Sequence, residues 1–181
     1  MKRNVSVVLA ALAAVAISAS AAQGQSIAFG VGGGVTIPSG DFKDGAKTGW
    51  HGLANIGYNL PSGLGVRGDF YYSQNSAKGG GNGKAKLAGG LGNVLYSFPG
   101  KSTIHPYVIG GVGFFNLKAE ATVGGVTFSS SETKFAWGAG AGIKFKAGTD
   151  ASVFVEGRYL SASSDPKTNF IPITVGVNFG L

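Results

Sequence analysis

The final eleven residues, Ile171 to Leu181, alternate without a break. Ile171, Ile173, Val175, Val177, Phe179 and Leu181 fall on one face, and Pro172, Thr174, Gly176, Asn178 and Gly180 on the other. A period of two marks a β-strand, because successive side chains leave a pleated backbone on opposite sides. A helix would scatter these residues around its circumference. The two faces also differ in kind, one apolar throughout and the other small or polar. Such a strand divides an apolar medium from a crowded or wet one.

The same alternation recurs upstream. Ile27, Phe29, Val31, Val35 and Ile37 oppose Ala28, Gly30, Gly32, Gly34 and Thr36. Trp50, Ala54, Ile56, Tyr58 and Leu60 oppose His51, Leu53, Asn55, Gly57 and Asn59, and after the Pro61-Ser62-Gly63 turn Leu64, Val66, Phe70 and Tyr72 oppose Gly65, Arg67, Asp69, Tyr71 and Ser73. Phe135, Trp137, Ala139, Ala141, Ile143 and Phe145 oppose Ala136, Gly138, Gly140, Gly142 and Lys144. Val153, Val155 and Tyr159 oppose Phe154, Glu156, Arg158 and Leu160. Two further strands, one ending near Phe98 and one running from Ile104 to about Lys118, carry apolar residues on both faces. Placing Val94, Tyr96 and Phe98 with the apolar faces keeps Asn93 on the other side. The polar stretch from Ala119 to Thr133 is the longest connection, with Gly124-Gly125 as a hairpin tip standing above the membrane. The count is eight strands, with connections predicted long after the odd strands and short after the even ones.

Composition says where the apolar faces point. The chain holds 33 Gly, no Cys, and only 13% charged residues, against about 25% in ordinary soluble domains. Low charge with many aromatics, yet no long apolar run in the body of the chain, fits strands that show their apolar face to lipid. The absence of Cys excludes disulfides, thiolate metal sites and a lipid-modified N-terminus. The one apolar run follows Lys2 and Arg3, extends from Val5 to Ile17, and ends in small residues. That order is a secretory signal peptide, too short to span a bilayer, which takes about 20 residues. The expected division is a signal peptide over residues 1–22, cleaved between 21 and 24, and an outer-membrane barrel domain over 23–181. Loss of Lys2 and Arg3 lowers the net charge from +7 to +5. The fold class is all-β: an eight-stranded antiparallel up-and-down transmembrane β-barrel, the smallest count usual for such membrane barrels.

Gly40-Asp41-Phe42 after the first strand, Pro106-Tyr107-Val108 with Gly110-Gly111-Val112-Gly113 opening the fifth, the signal peptide and the final strand together resemble the OmpA/OmpX-like family of small outer-membrane β-barrels. The resemblance covers the whole mature chain and implies Sec-type export to the outer membrane of a Gram-negative-type bacterium. It also implies insertion by the general outer-membrane assembly machinery, read from a C-terminal strand that here carries Val175, Val177, Phe179 and Leu181. Proteins of this family usually end on an aromatic residue, whereas here Gly180-Leu181 follow Phe179. Either Leu181 takes the terminal role or the strand projects two residues further.

With both termini in the periplasm, aromatics sort by height into two interfacial girdles: Trp50, Tyr72 and Trp137 near the outer rim, and Tyr58, Tyr96, Phe145 and Phe179 near the inner one. Arg67, Asp69, Glu156 and Arg158 are predicted to face the lumen at comparable heights. Single buried charges are costly, so the four are expected to form an ion-pair network, either as a plug that rigidifies the barrel or as a gated ion path. His51 and His105 lie toward opposite rims and do not make a metal or nucleophile pair. The glycine runs sit inside strands, not before helices, so they are not phosphate loops. No cofactor, catalytic residue or nucleic-acid partner is implied. The expected role is structural or surface-interacting, as a monomer in contact with lipid and lipopolysaccharide. The alternative is a narrow channel or transporter for small or hydrophobic solutes.

Overall fold

The computed structural model describes residues 26–78, 83–100, 103–123, 126–148, 150–164 and 167–180. The expected signal peptide (residues 1–22), the expected tip at Gly124-Gly125 and Leu181 lie outside the described residues. Eight strands follow in order: β1 (Ser26–Ser39), β2 (Gly49–Asn59), β3 (Leu64–Ser76), β4 (Lys84–Ser97), β5 (Ile104–Val123), β6 (Val126–Lys146), β7 (Ala151–Ala162) and β8 (Thr168–Gly180). Each pairs antiparallel with its neighbours in sequence, and β8 pairs with β1, so the sheet is a closed up-and-down barrel.

Closure sets a stagger. The register runs from Ala28 through Gly57, Arg67, Asn93, Gly111, Gly138, Leu160 and Phe170, and returns to β1 at Pro38, ten residues from its start. Eight strands sheared by this much tilt by roughly 35–45° and enclose a space that side chains can fill.

The facing follows the alternation. Phe29, Val31, Val35, Ile56, Val66, Phe70, Val155, Ile173 and Val175 are exposed on the outer wall, whereas the residues between them point inward. For β4 and β5 the structure resolves the facing: Val94, Tyr96, Val108, Val112 and Phe114 are outside, while Leu91, Asn93, Leu95, Tyr107, Ile109 and Phe115 are buried inside. Apolar residues thus occupy both faces of this hairpin, which is why alternation alone left it open.

Two elements depart from expectation. The stretch from Ala119 to Thr133 is not a loop. β5 and β6 stay in register from Ile104↔Phe145 to Val123↔Val126, a tall two-stranded ladder. The stretch is rich in polar residues, but backbone hydrogen bonds hold a ladder whatever the side chains are. As a result the contrast in connection length is weaker than predicted. The β7–β8 connection, 163–167, is no longer than the β4–β5 turn at 98–103. The segment after β1 holds a short helix, α1 (Phe42–Gly45). Phe42 packs against the barrel's interior cluster, and the Lys78 N–H donates to the Gly45 carbonyl at 2.8 Å, which ties this segment to the end of β3. At the other end, Gly63 donates to the Leu60 carbonyl at 3.1 Å and takes a φ of 88°, a conformation that favours glycine in the tight β2–β3 turn.

Candidate functional site

The lumen holds two layers of side chains. β3 supplies Arg67 and Asp69 from alternate positions, β7 supplies Glu156 and Arg158, β4 supplies Asn93 and β5 Tyr107. All six are buried, with Glu156 1% and Asp69 4% exposed. Asp69 takes Arg67 Nε at 2.8 Å on Oδ1 and Arg158 Nη1 at 2.6 Å on Oδ2. Glu156 takes Arg67 Nη2 at 2.8 Å on Oε2, and the Tyr107 hydroxyl donates to the same oxygen at 2.7 Å. Asn93 is the hinge of the network. Its Nδ2 donates to Asp69 Oδ2 and to the Arg67 carbonyl, both at 3.0 Å, and its Oδ1 accepts from Arg158 Nη2. Two cations and two carboxylates thus neutralise one another with added neutral partners, the arrangement that makes buried charge tolerable.

The strands that face this cluster are built for close approach. Gly140 on β6 pairs with Arg158, and Gly111 on β5 pairs with Asn93. A Cβ on Gly140 would stand 2.6 Å from Arg158 Cγ and 2.7 Å from its Cα. The glycine-rich inner face is therefore the volume that the charged side chains occupy.

Toward the end that carries α1 and the β5–β6 hairpin, the filling becomes aromatic. Tyr71, Phe115 and Phe170 meet with ring centroids 6.0–6.2 Å apart. Leu53, Leu87, Leu91 and Leu160 complete the layer, and Phe115 is fully buried. His51 stacks on Tyr71 at 4.8 Å and is held between two threonines, Nδ1 to Thr36 Oγ1 at 3.1 Å and Nε2 to Thr174 Oγ1 at 2.8 Å. Both ring nitrogens are engaged inside the wall, so His51 has a packing role and no free lone pair to offer. Among the described residues no cluster of His, Cys, Asp or Glu could hold a metal ion.

Two cavities enter the lumen, one from each end. The one at the end of the short turns has a volume of about 470 Å³ and reaches Arg67 and Lys144; the other, about 280 Å³, reaches Phe42, Leu87 and Phe170. They share no lining residue. The charged cluster and the aromatic layer lie between them.

On the outer wall, aromatic residues pair in two bands. Trp50 packs on Tyr72 at 5.6 Å and Trp137 on Tyr159 at 5.8 Å, while Phe29 packs on Phe179 at 5.5 Å and Tyr96 on Phe98 at 5.3 Å. Phe145 is exposed and Tyr58 half-buried on the same wall. Val175 and Phe179 are exposed on β8, and Val177 between them is half-buried.

A closed eight-stranded barrel with an apolar exterior and a packed interior that buries an ion cluster is a membrane architecture, and the sequence agrees. Residues 7–179 match the family described as the outer membrane protein beta-barrel domain. The chain belongs to this family. It is an outer-membrane protein of bacteria, and its apolar outer band sits in lipid. Among solved structures, neisserial surface protein A superposes with a TM-score of 0.63 at 17% identity, covering 87% of this chain and 99% of that one. Ail, the attachment invasion locus protein of Yersinia pestis, gives 0.59 at 18% identity, with 87% and 97% covered. A major outer membrane protein from Thermus thermophilus gives 0.63 at 12% identity, with 87% and 99% covered. At these identities the likeness is one of fold. No curated protein matches the chain.

The sequence had named Arg67, Asp69, Glu156 and Arg158, and all four lie in one cluster. It gives Tyr107 no place in the lumen and does not mark the aromatic layer of Phe115 and Phe170. An inward tyrosine on a strand with apolar residues on both faces gives no signal, whereas Asn93, a lone amide among Leu91, Val94 and Leu95, does.

Proposed function

We propose that this family member is a non-conducting outer-membrane scaffold that stiffens the envelope and presents its outer segments, the β5–β6 hairpin foremost, to the cell's surroundings. The observation that carries the reading is the pair of cavities that end on opposite sides of a neutralised ion cluster backed by packed rings. An ion crossing the lumen would have to displace Arg67–Glu156 and Arg158–Asp69 together, and then shed its water against Phe115 and Phe170. Breaking one buried pair alone costs about 3–5 kcal/mol. That weighs against the narrow-channel alternative. Lys43, Lys47 and Lys84 are exposed at the outer end, where they suit the phosphates of lipopolysaccharide. Assembly uses the C-terminal strand, with Phe179 as its recognised aromatic.

Planar-bilayer recording of the purified, refolded protein tests the scaffold reading. The expected record is a silent membrane. Steady, stepwise single-channel openings would overturn it.

A further inference from the structure

The larger cavity, at the end of the short turns, contains more than the ion pairs need. Asp69 and Glu156 are both engaged by arginines, yet a third cation enters the same space. Lys144, half-buried on β6, places Nζ 5.1 Å from the centre of the Tyr107 ring. The three inward cations Arg67, Arg158 and Lys144 therefore stand against two carboxylates. One neighbour adds to the imbalance: Lys146 follows Lys144 on the same face, and the His105 ring lies across the β5–β6 register from Lys144. Groups of like charge placed this way repel unless a counter-charge joins them. The only acid among the described lining residues is Asp150, on the exposed β6–β7 turn.

Unpaired donors point the same way. Arg67 is 5% exposed and lines this cavity, and its Nη1 has no protein partner. Asn55, 8% exposed on the adjacent wall, likewise has an unpartnered Nδ2. Buried donors left unpaired cost about 1–3 kcal/mol each. A ligand that accepts several hydrogen bonds and carries negative charge satisfies both deficits at once. A tetrahedral oxyanion accepts from several directions, as donors on β2, β3 and β6 require, whereas a planar carboxylate serves fewer. The volume of about 470 Å³ admits such an ion with part of its hydration.

We propose that this vestibule is a binding site for a small phosphate-class oxyanion, held by Arg67, Asn55, Lys144 and Lys146 at the end of the barrel that carries the short turns. The site is independent of whether the barrel conducts, because it lies on one side of the ion cluster.

The test uses the refolded full-length barrel in maltoside micelles free of phosphate. Inorganic phosphate replaces chloride at constant ionic strength, and backbone amide shifts are followed by NMR. Saturable shifts are expected at Asn55, Arg67, His105 and Lys144. The double variant Lys144→Gln/Lys146→Gln should weaken binding at least tenfold, and Lys134→Gln, at the opposite end, should leave it unchanged. Heat-modifiable migration on gels checks that each variant folds. Should the double variant fail to fold, Lys146→Gln alone at the exposed mouth is read instead, with at least threefold weaker binding expected. Shifts that rise linearly without saturation, or that fall equally in Lys134→Gln, would overturn the site and indicate a general ionic effect.

Discussion

Replacing Asp69 with Ala is the sharpest probe of what holds the lumen together. The carboxylate is fully buried and takes three partners: Arg67, Arg158 and Asn93. Hydrogen bonds to a charged group contribute about 1.5–3 kcal/mol each, but the sum overstates the loss, because groups in one network do not act independently. The better guide is the uncompensated charge left behind. Removing one member of a buried pair costs about 3–5 kcal/mol. Asp69→Ala leaves two guanidinium groups to share Glu156, and Arg158 Nη1 is 3.8 Å from it, too far to replace what is lost. A loss of about 3–5 kcal/mol is therefore expected. With an m-value of about 2 kcal/mol per molar urea, the unfolding midpoint should fall by roughly 1.5–2.5 M. Tryptophan fluorescence in micelles reads it, since Trp50 and Trp137 both lie on the wall. The companion variant Asp69→Leu/Arg158→Met removes a cation with the anion and leaves Arg67 paired with Glu156. It should recover at least half of the loss, because apolar replacement of both partners is often near neutral. A midpoint for Asp69→Ala within about 0.3 M of the parent, or a double variant no better than the single one, would refute the reasoning.

Two glycines on neighbouring strands should respond in opposite ways. Gly140→Ala forces a Cβ against Arg158 and should cost about 1–3 kcal/mol by overpacking, whereas Gly157→Ala on the outer wall meets nothing within 4 Å and should stay within about 0.5 kcal/mol of the parent. Urea unfolding of the two variants side by side checks this. Phe179→Asp should sharply reduce the folded, heat-modifiable form in outer membranes, because it removes the packing on Phe29 and puts charge on the lipid face. Normal migration and yield would show that Phe179 does not mark the assembly strand.

What the sequence made legible follows from what surrounds each face. Where lipid lies on one side and glycine or charge on the other, as in β1, β3 and β8, hydrophobicity marks the side directly. The interior of β4 and β5 broke that code, since Leu87, Leu91, Leu95 and Phe115 are as apolar as their outward neighbours. The aromatic layer was hidden for the same reason: alternation reports contrast, and a greasy lumen against a greasy membrane has none. The upper half of the β5–β6 hairpin was hidden for another reason: its stretch is rich in polar residues, and the backbone ladder that holds it is not something side chains report. The ion cluster was readable because charges at alternate positions of two strands have nowhere to go but inward. Its tyrosine was not, because a tyrosine such as Tyr107 is as common in a membrane wall as in a lumen.

Closure also imposes an order of events. Ala28 pairs with Gly180, so the first strand to be made waits for the last before one of its edges is satisfied. Until β8 arrives, β1 exposes a row of unpaired backbone groups beside a fully apolar face, the combination most prone to join another chain. Contacts between chain ends close slowly, since the entropy of the intervening loop is spent before any bond repays it. The barrel's most exposed moment is thus the interval before its seam is sealed. Sequence changes at β1 and β8 should affect the yield of folded protein more than its stability once formed.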